Sequence, residues 1–379
     1  MKLKFLTGFI FYIFMIAKGE SIEFETSMDS AICYIHNMEY IKSLEIFNKI
    51  IENDDHAMFS HLGKLQVERM LLIESKGYNF DKEELFQKTN SVIKLLKTKL
   101  KQDPENFESN FCLSMAIGFK LRIVLGEKNS LYIIFNGLKA IKYIRISTKL
   151  PGNNPDAEFC RGVYEYYVAQ YPAIIRYLSK SLLNNSGNIE TAKKRMHQAA
   201  DFGKYLKYDA WYTLAFMYLY VENNPKLALH YINSMISKFP DNPGYQFLYC
   251  FASIRLNNME AVKDALMQYK SMLDNNNLYF EKFFRKRLML LEGMLASQNK
   301  DYQQAIKHID DFIKDYDLEL EHLLAIAFLE KGKILDIMGD RIQAREQYKK
   351  VLKIDNRTYP VKLARKYKKE GFNLDNFNK

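Results

Sequence analysis

Glycine and proline are scarce: 16 and 8 of 379 residues, about 6% where about 12% is usual. So few chain breakers exclude a collagen-like chain, a low-complexity linker protein and a turn-dense β-sandwich or barrel. Cysteine is scarce as well, and four in this length make no disulfide scaffold. No Asn-Gly or Asp-Gly hairpin signal sits between alternating apolar runs, so strands have little support. Beyond residue 20 no apolar stretch reaches 18 residues without a charge, which leaves no membrane-spanning helix to expect there. The phosphate-binding loop, the dinucleotide fingerprint, the nucleophile elbow and the two-histidine zinc helix are all missing. What remains is 48% hydrophobic and 26% charged, the composition of a folded globular chain.

The first residues read as an address. Lys2 and Lys4 precede an apolar run from Phe5 to Ile16, interrupted only by Thr7 and Gly8. That run is too short to span a bilayer and suits the core of an export signal. Ala17 and Gly19 put small residues at the −3 and −1 positions of a cleavage site, so residues 1–19 are expected to be a signal peptide cleaved after Gly19. Cleavage would remove Lys2, Lys4 and Lys18 and lower the net charge from +10 to +7. The expected location is periplasmic or secreted.

The remainder, 20–379, repeats itself. Residues 325–358 form a 34-residue unit with Phe328, Gly332, Leu335, Ala344, Tyr348 and Val351 at large and small apolar positions, split by the turn Met338-Gly339-Asp340. Gly332 and Ala344 are small where two antiparallel helices must cross closely. In 208–241, Trp211, Leu214, Ala215 and Tyr218 are followed by Ala228, Ile232, Met235 and Pro240, with one extra residue assigned to the turn at Glu222-Asn223-Asn224-Pro225. In 286–319 the positions are Gly293, Tyr302, Ala305, Ile309 and Phe312. In 24–57 they are Ala31, Tyr34, Tyr40, Ser43, Phe47 and Ile50. Leu248, Ala252 and Ala265 mark a looser unit. Longer helices with insertions are expected across 56–208.

This spacing resembles the tetratricopeptide repeat (TPR), whose signature is W-x2-L-G-x2-Y, then A-x3-F, then P. More weakly, Gly162 to Tyr167 followed by a Pro-containing insertion resembles the inclusion body clearance protein family. The first resemblance implies an all-α, right-handed α-solenoid of TPR-like helix pairs, used to bind proteins and carrying no chemistry. A terminal repeat needs a polar-backed cap. The stretch from Tyr359 to Glu370 is expected to supply it as a capping helix, with Pro360 in its first turn.

No catalytic residue, metal ligand or cofactor site emerges. His308, Asp311 and Asp315 share a helix face, but an acidic solvated face explains them. Cys33, Cys112, Cys160 and Cys250 sit at packing positions and read as reduced core residues. The candidate partner-binding groove is the far side of the inner helices: Tyr212, Phe216, Tyr220, Tyr249, Arg287 and Lys333. The basic clusters Lys193-Lys194-Arg195, Arg285-Lys286-Arg287 and Lys362 to Lys369 are interleaved with acids and read as solvated faces. The export signal also argues against nucleic acid. The expectation is an exported, non-catalytic scaffold for an unidentified protein or peptide, with envelope association open. The alternative is a polymer-binding helical domain or an enzyme accessory protein with dispersed active-site residues.

Overall fold

The computed structural model describes residues 22–53, 57–78, 80–124, 130–149, 154–170, 188–274, 279–314, 316–317, 321–354 and 357–373. The expected signal at 1–19 lies outside them. The described residues are helical and contain no strand. Contacts divide the chain into two compact units, with breaks after Ile73, Tyr78 and Leu214.

The first unit holds α1 (Ile22–His36), α2 (Tyr40–Asn53), most of α3 (Met58–Lys76), α4 (Glu83–Gln102), α5 (Phe107–Ile123), α6 (Ser130–Lys149), α7 (Pro155–Ala169), α8 (Ile189–Phe202) and most of α9 (Lys207–Phe216). The second holds the end of α9, its π-helical continuation Met217–Val221, α10 (Pro225–Lys238), α11 (Pro243–Arg255), α12 (Met259–Asp274), α13 (Tyr279–Gln298), α14 (Tyr302–Ile313), α15 (His322–Ile337), α16 (Arg341–Ile354) and α17 (Tyr359–Glu370). In the second unit each helix packs on its pair mate, and the inner helices α11, α13 and α15 also pack on one another.

That arrangement explains the composition of the helices. An inner helix is wrapped by neighbours, so α11 and α15 are buried around most of their circumference. An outer helix keeps one face in water and buries a single stripe. The stripe recurs every three or four residues as Tyr40, Ser43, Phe47, Ile50 in α2, Ala305, Ile309, Phe312 in α14, and Ala344, Gln347, Tyr348, Val351 in α16.

Five joints share one geometry. Met38, Asn223, Asn257, Lys300 and Gly339 each follow an inner helix with φ between 55° and 85°. In four of them the amide of the next residue, the third past the helix, reaches back to close it: Glu39 to the Tyr34 carbonyl at 2.8 Å, Asn258 to Ser253 at 3.1 Å, Asp301 to Ala296 at 2.9 Å, Asp340 to Leu335 at 2.9 Å. The same residue opens the next helix. The Asn258, Asp301 and Asp340 side chains accept the amides of Ala261, Gln304 and Gln343 at 3.3, 3.2 and 3.0 Å.

The joint after α9 corrects one detail of the sequence reading. The extra residue is not in the turn. Asn224 donates to Tyr218 at 2.7 Å, one residue further back than in the other joints, and Glu222 donates to Met217 at 2.9 Å. The π-helical turn Met217–Val221 absorbs the insertion. Asn224 still caps α10 through the Leu227 amide at 3.1 Å. Widening the helix keeps the closing bond from Asn224 and its capping role together.

The C-terminal helix α17 covers the last pair, packing on α15 and α16 through Tyr359, Val361, Ala364 and Tyr367. Asp336 ties this end together. It accepts the Tyr348 hydroxyl at 2.7 Å, the Phe372 amide at 2.7 Å and the Arg341 guanidinium at 3.0 Å. Arg341 also donates to the Tyr367 and Lys368 carbonyls, both at 2.8 Å, and so closes the end of α17.

At the crossings, small residues face large ones. A methyl on Gly332 would meet the Tyr348 ring at 2.5–3.0 Å, and one on Gly293 would meet Ile309 at 2.7 Å. Glycine to alanine inside a helix ordinarily stabilises by about 1 kcal/mol. Here Gly332→Ala is expected to destabilise instead, and Ala344→Leu, at a fully buried position, to cost about 1–3 kcal/mol or more through overpacking. Thermal melts check both; an unchanged Tm for either variant would contradict the crossing geometry.

Candidate functional site

The inner helices of the second unit carry a lane of aromatic side chains with one permanent charge. Arg287, on α13, lies over the Phe283 ring at 4.0 Å, with Phe247 at 5.1 Å and Phe284 at 5.4 Å. Its Nε is buried and has no hydrogen-bond partner among the described residues. Behind it, the fully buried Tyr269 donates its hydroxyl to the Phe284 carbonyl at 2.8 Å, which anchors the first turns of α13.

His322 opens α15 and stands between Phe216 at 5.1 Å and Tyr220 at 4.6 Å. Burial and then the positive charge of Arg287 push its pKa down to about 3, so the imidazole is neutral at physiological pH. Burial raises the Tyr316 phenol well above its usual range, with Arg287 opposing. Tyr220 continues the lane to Phe251 at 5.4 Å. A guanidinium, a neutral imidazole, phenols and phenyl rings can hold an anionic and apolar ligand. They make no pair of groups with separated acid and base roles.

The candidate groove residues divide accordingly. Phe216 and Tyr220 are buried and in mutual contact at 4.9 Å, and they pack as part of the lane instead of lining an open surface. Arg287 and Tyr249 are half-buried. Lys333 is engaged elsewhere, paired with Glu330 at 2.7 Å and over the Phe372 ring at 4.9 Å near the C-terminal cap. Tyr212 is half-buried and belongs to the first unit.

In the first unit Arg195, read from the sequence as part of a solvated basic face, is instead held in an ion-pair network whose other members the sequence reading did not single out. Arg195 on α8 bonds Glu158 and, at 3.2 Å, Glu165; Arg161 bonds Glu165 at 2.8 Å. These four residues satisfy one another across α7 and α8. Asp156, buried in the first turn of α7, accepts the Tyr205 and Leu206 amides at 3.2 and 3.0 Å and so fixes the approach to α9. Burial, against those hydrogen bonds, raises its pKa to about 6. Asp209 is 1% exposed, and neither carboxyl oxygen has a hydrogen-bond partner among the described residues. Burial and then the nearby Asp156 push its pKa well above the carboxylate range. The available signal was an acid at a packing position of an otherwise apolar face.

All four cysteines are thiols outside any disulfide; Cys112, Cys160 and Cys250 are buried and Cys33 is half-buried. Among the described residues no group of three His, Cys, Asp or Glu side chains could hold a metal ion. His308 contacts Gln304 at 2.9 Å, and Asp315 lies outside the described residues. No described helix is long and apolar enough to cross a membrane.

No protein-family model matches the chain. No curated protein matches it. Among solved structures, the crystal structure of yeast Tom70 is similar with a TM-score of 0.38 and 11% sequence identity, over 91% of this chain and 88% of that one. By its own helix pairs and joints, the fold is a TPR-like helical repeat.

Buried carboxyls that keep their protons when folded contribute stability in full below the unfolded pKa and lose it as pH rises through the folded value. Asp156 and Asp209 are both raised, so the window opens near 3.8, the ordinary value, and extends upward through 6. His36 and His322, lowered to about 3, act in the opposite sense between about 3 and 6.5 and are common to both proteins, so the readout is the difference between variant and wild type. Asp209→Asn is expected to raise Tm relative to wild type by more at about pH 8 than at about pH 4. A Tm difference that does not change with pH would show that Asp209 is not a buried acid of raised pKa.

Proposed function

We propose that the protein is an exported, non-catalytic scaffold. It holds a peptide segment of a partner protein against the inner helices of its second unit. The observation that carries this reading is Arg287, a guanidinium backed by three phenylalanine rings with a buried Nε left unbonded. An acidic group on the peptide would pair with it, and apolar or aromatic neighbours would lie along Tyr249 and the adjoining rings. Phe216 and Tyr220 then support that surface from beneath. Aromatic residues and arginine are the usual anchors of such contacts.

Export rests on the length of the apolar run and the small residues before Glu20. The finer kinship, to inclusion body clearance proteins, rests on Gly162 to Tyr167. This segment lies in α7, where a methyl on Gly162 would collide with the Ala192 carbonyl of α8 at 2.7 Å. Residues 172–187 of the insertion lie outside the described set.

Two measurements test the proposal. Selection from a displayed random-peptide library should return acidic, apolar sequences that bind the wild type and lose binding to Arg287→Gln, with the melting curve of the variant unchanged. Peptides indifferent to Arg287, or none at all, would remove the reading. N-terminal sequencing of the exported chain should begin at Glu20; an intact Met1 would reject cleavage.

A further inference from the structure

Net charge is distributed very unevenly. The stretch from Arg341 to Glu370 holds eleven of the 55 basic residues and three of the 45 acids, so it carries +8 of the chain's +10. The other basic clusters are accounted for within the fold: Arg195 by Glu158 and Glu165, Arg287 by its phenylalanine rings. At the C-terminal end Arg341 has such a task, on Asp336 and the α17 carbonyls, and Lys350 lies over the Phe328 ring at 5.1 Å.

Arg345, Lys349 and Lys353 recur at four-residue spacing along the exposed face of α16, with Lys350 alongside. Lys362, Arg365, Lys366 and Lys369 form the exposed face of α17. Apart from the Lys349–Glu346 pair, none of these eight is ion-paired among the described residues. Two or three lysines at the end of α17 suffice to complement its dipole. Eight exposed cations on two adjoining helices exceed what capping needs.

An apolar rim adjoins the charge. Ile342 is 80% exposed and Met338 48% exposed, at the joint between α15 and α16. The bonds from Arg341 to the Tyr367 and Lys368 carbonyls place this joint beside the end of α17, next to Lys368 and Lys369.

We propose that this end of the molecule docks onto an anionic lipid surface, with the α16 and α17 cations at the headgroups and Ile342 and Met338 entering the acyl boundary. Six of the eight exposed cations are lysines, point charges suited to a diffuse anionic plane, whereas arginine forks suit defined phosphate pairs. The aromatics of this end, Tyr348, Tyr359, Tyr367 and Phe372, are all buried, so none can stack on a base. An exposed isoleucine beside a lysine array has a favourable place in a bilayer interface and none on a nucleic-acid backbone.

The test is co-sedimentation of the full chain with vesicles of phosphatidylcholine, alone or with about 30% phosphatidylglycerol, across a salt series. Residues 1–19 carry Lys2, Lys4 and Lys18 and would themselves favour anionic vesicles, so the readout is the change in anionic preference between the wild type and an α17 variant. The wild type should prefer the anionic vesicles, less so at high salt. Lys362→Gln/Lys366→Gln/Lys369→Gln should reduce that preference roughly a hundredfold, at about 1 kcal/mol per cation near the surface. Ile342→Ser should weaken binding at unchanged charge. Circular dichroism and Tm should stay at wild-type values, because all four positions are exposed. No preference in the wild type, or full preference in the triple variant, overturns the proposal. A preference untouched by Ile342→Ser and fully displaced by polyglutamate or duplex DNA makes this a general polyanion surface and overturns the lipid assignment. Arg287 takes no part, so this outcome and that of the peptide selection are independent.

Discussion

Close crossing of paired helices, with a residue lacking a side chain set against a large one, is the constraint on which the rest of the structure depends. Phe47 lies where a methyl on Gly63 would be, Tyr348 presses on Gly332 and Ile309 on Gly293. Helices at that separation exclude water from everything between them. Inner helices must then be apolar around most of their surface, and outer helices need only a stripe. The repeated left-handed joint follows from the same demand. It turns the chain back within three residues while pairing its own amides, so the two helices can meet close to the turn.

Tight packing also sets the electrostatics. A polar group caught inside must be paired or neutral. Glu158, Glu165, Arg161 and Arg195 take the first course, bonded to one another across α7 and α8. His36, His322 and Asp209 take the second. Burial drives both imidazoles down to about 3 and the carboxyl upward. Arg287 cannot lose its proton and is accommodated by ring faces in place of a carboxylate. Its buried Nε is left to offer a partner.

The candidate site was partly legible in the sequence. Arg287 was identifiable because it falls on the far side of an inner helix from the crossing residues. Phe216 and Tyr220 carry the same positional signature, yet they are buried against His322, which lies about a hundred residues further along. Local periodicity says which side of a helix a residue occupies, and it is silent about what covers that side. Lys333 shows the same limit: Glu330 and the Phe372 ring, not a groove, hold its ammonium.

The sequence by itself determined the helix pairs. Steric size at fixed spacing, Gly332 then Tyr348, Gly293 then Ile309, together with an Asx residue after four of the five sharp turns, specifies local geometry wherever it occurs. The insertion near Asn223 was visible as well, but its resolution into a π-turn depended on keeping the capped joint intact. Only the tertiary structure decided which acids are pushed above the carboxylate range, because Asp209 is buried and then meets Asp156 across α7 and α9. It alone also brought the Ile342 joint to the end of α17, through Arg341 and backbone carbonyls more than twenty residues away. Local patterns govern shape over one or two turns, whereas burial and long-range hydrogen bonds depend on partners that no local pattern names.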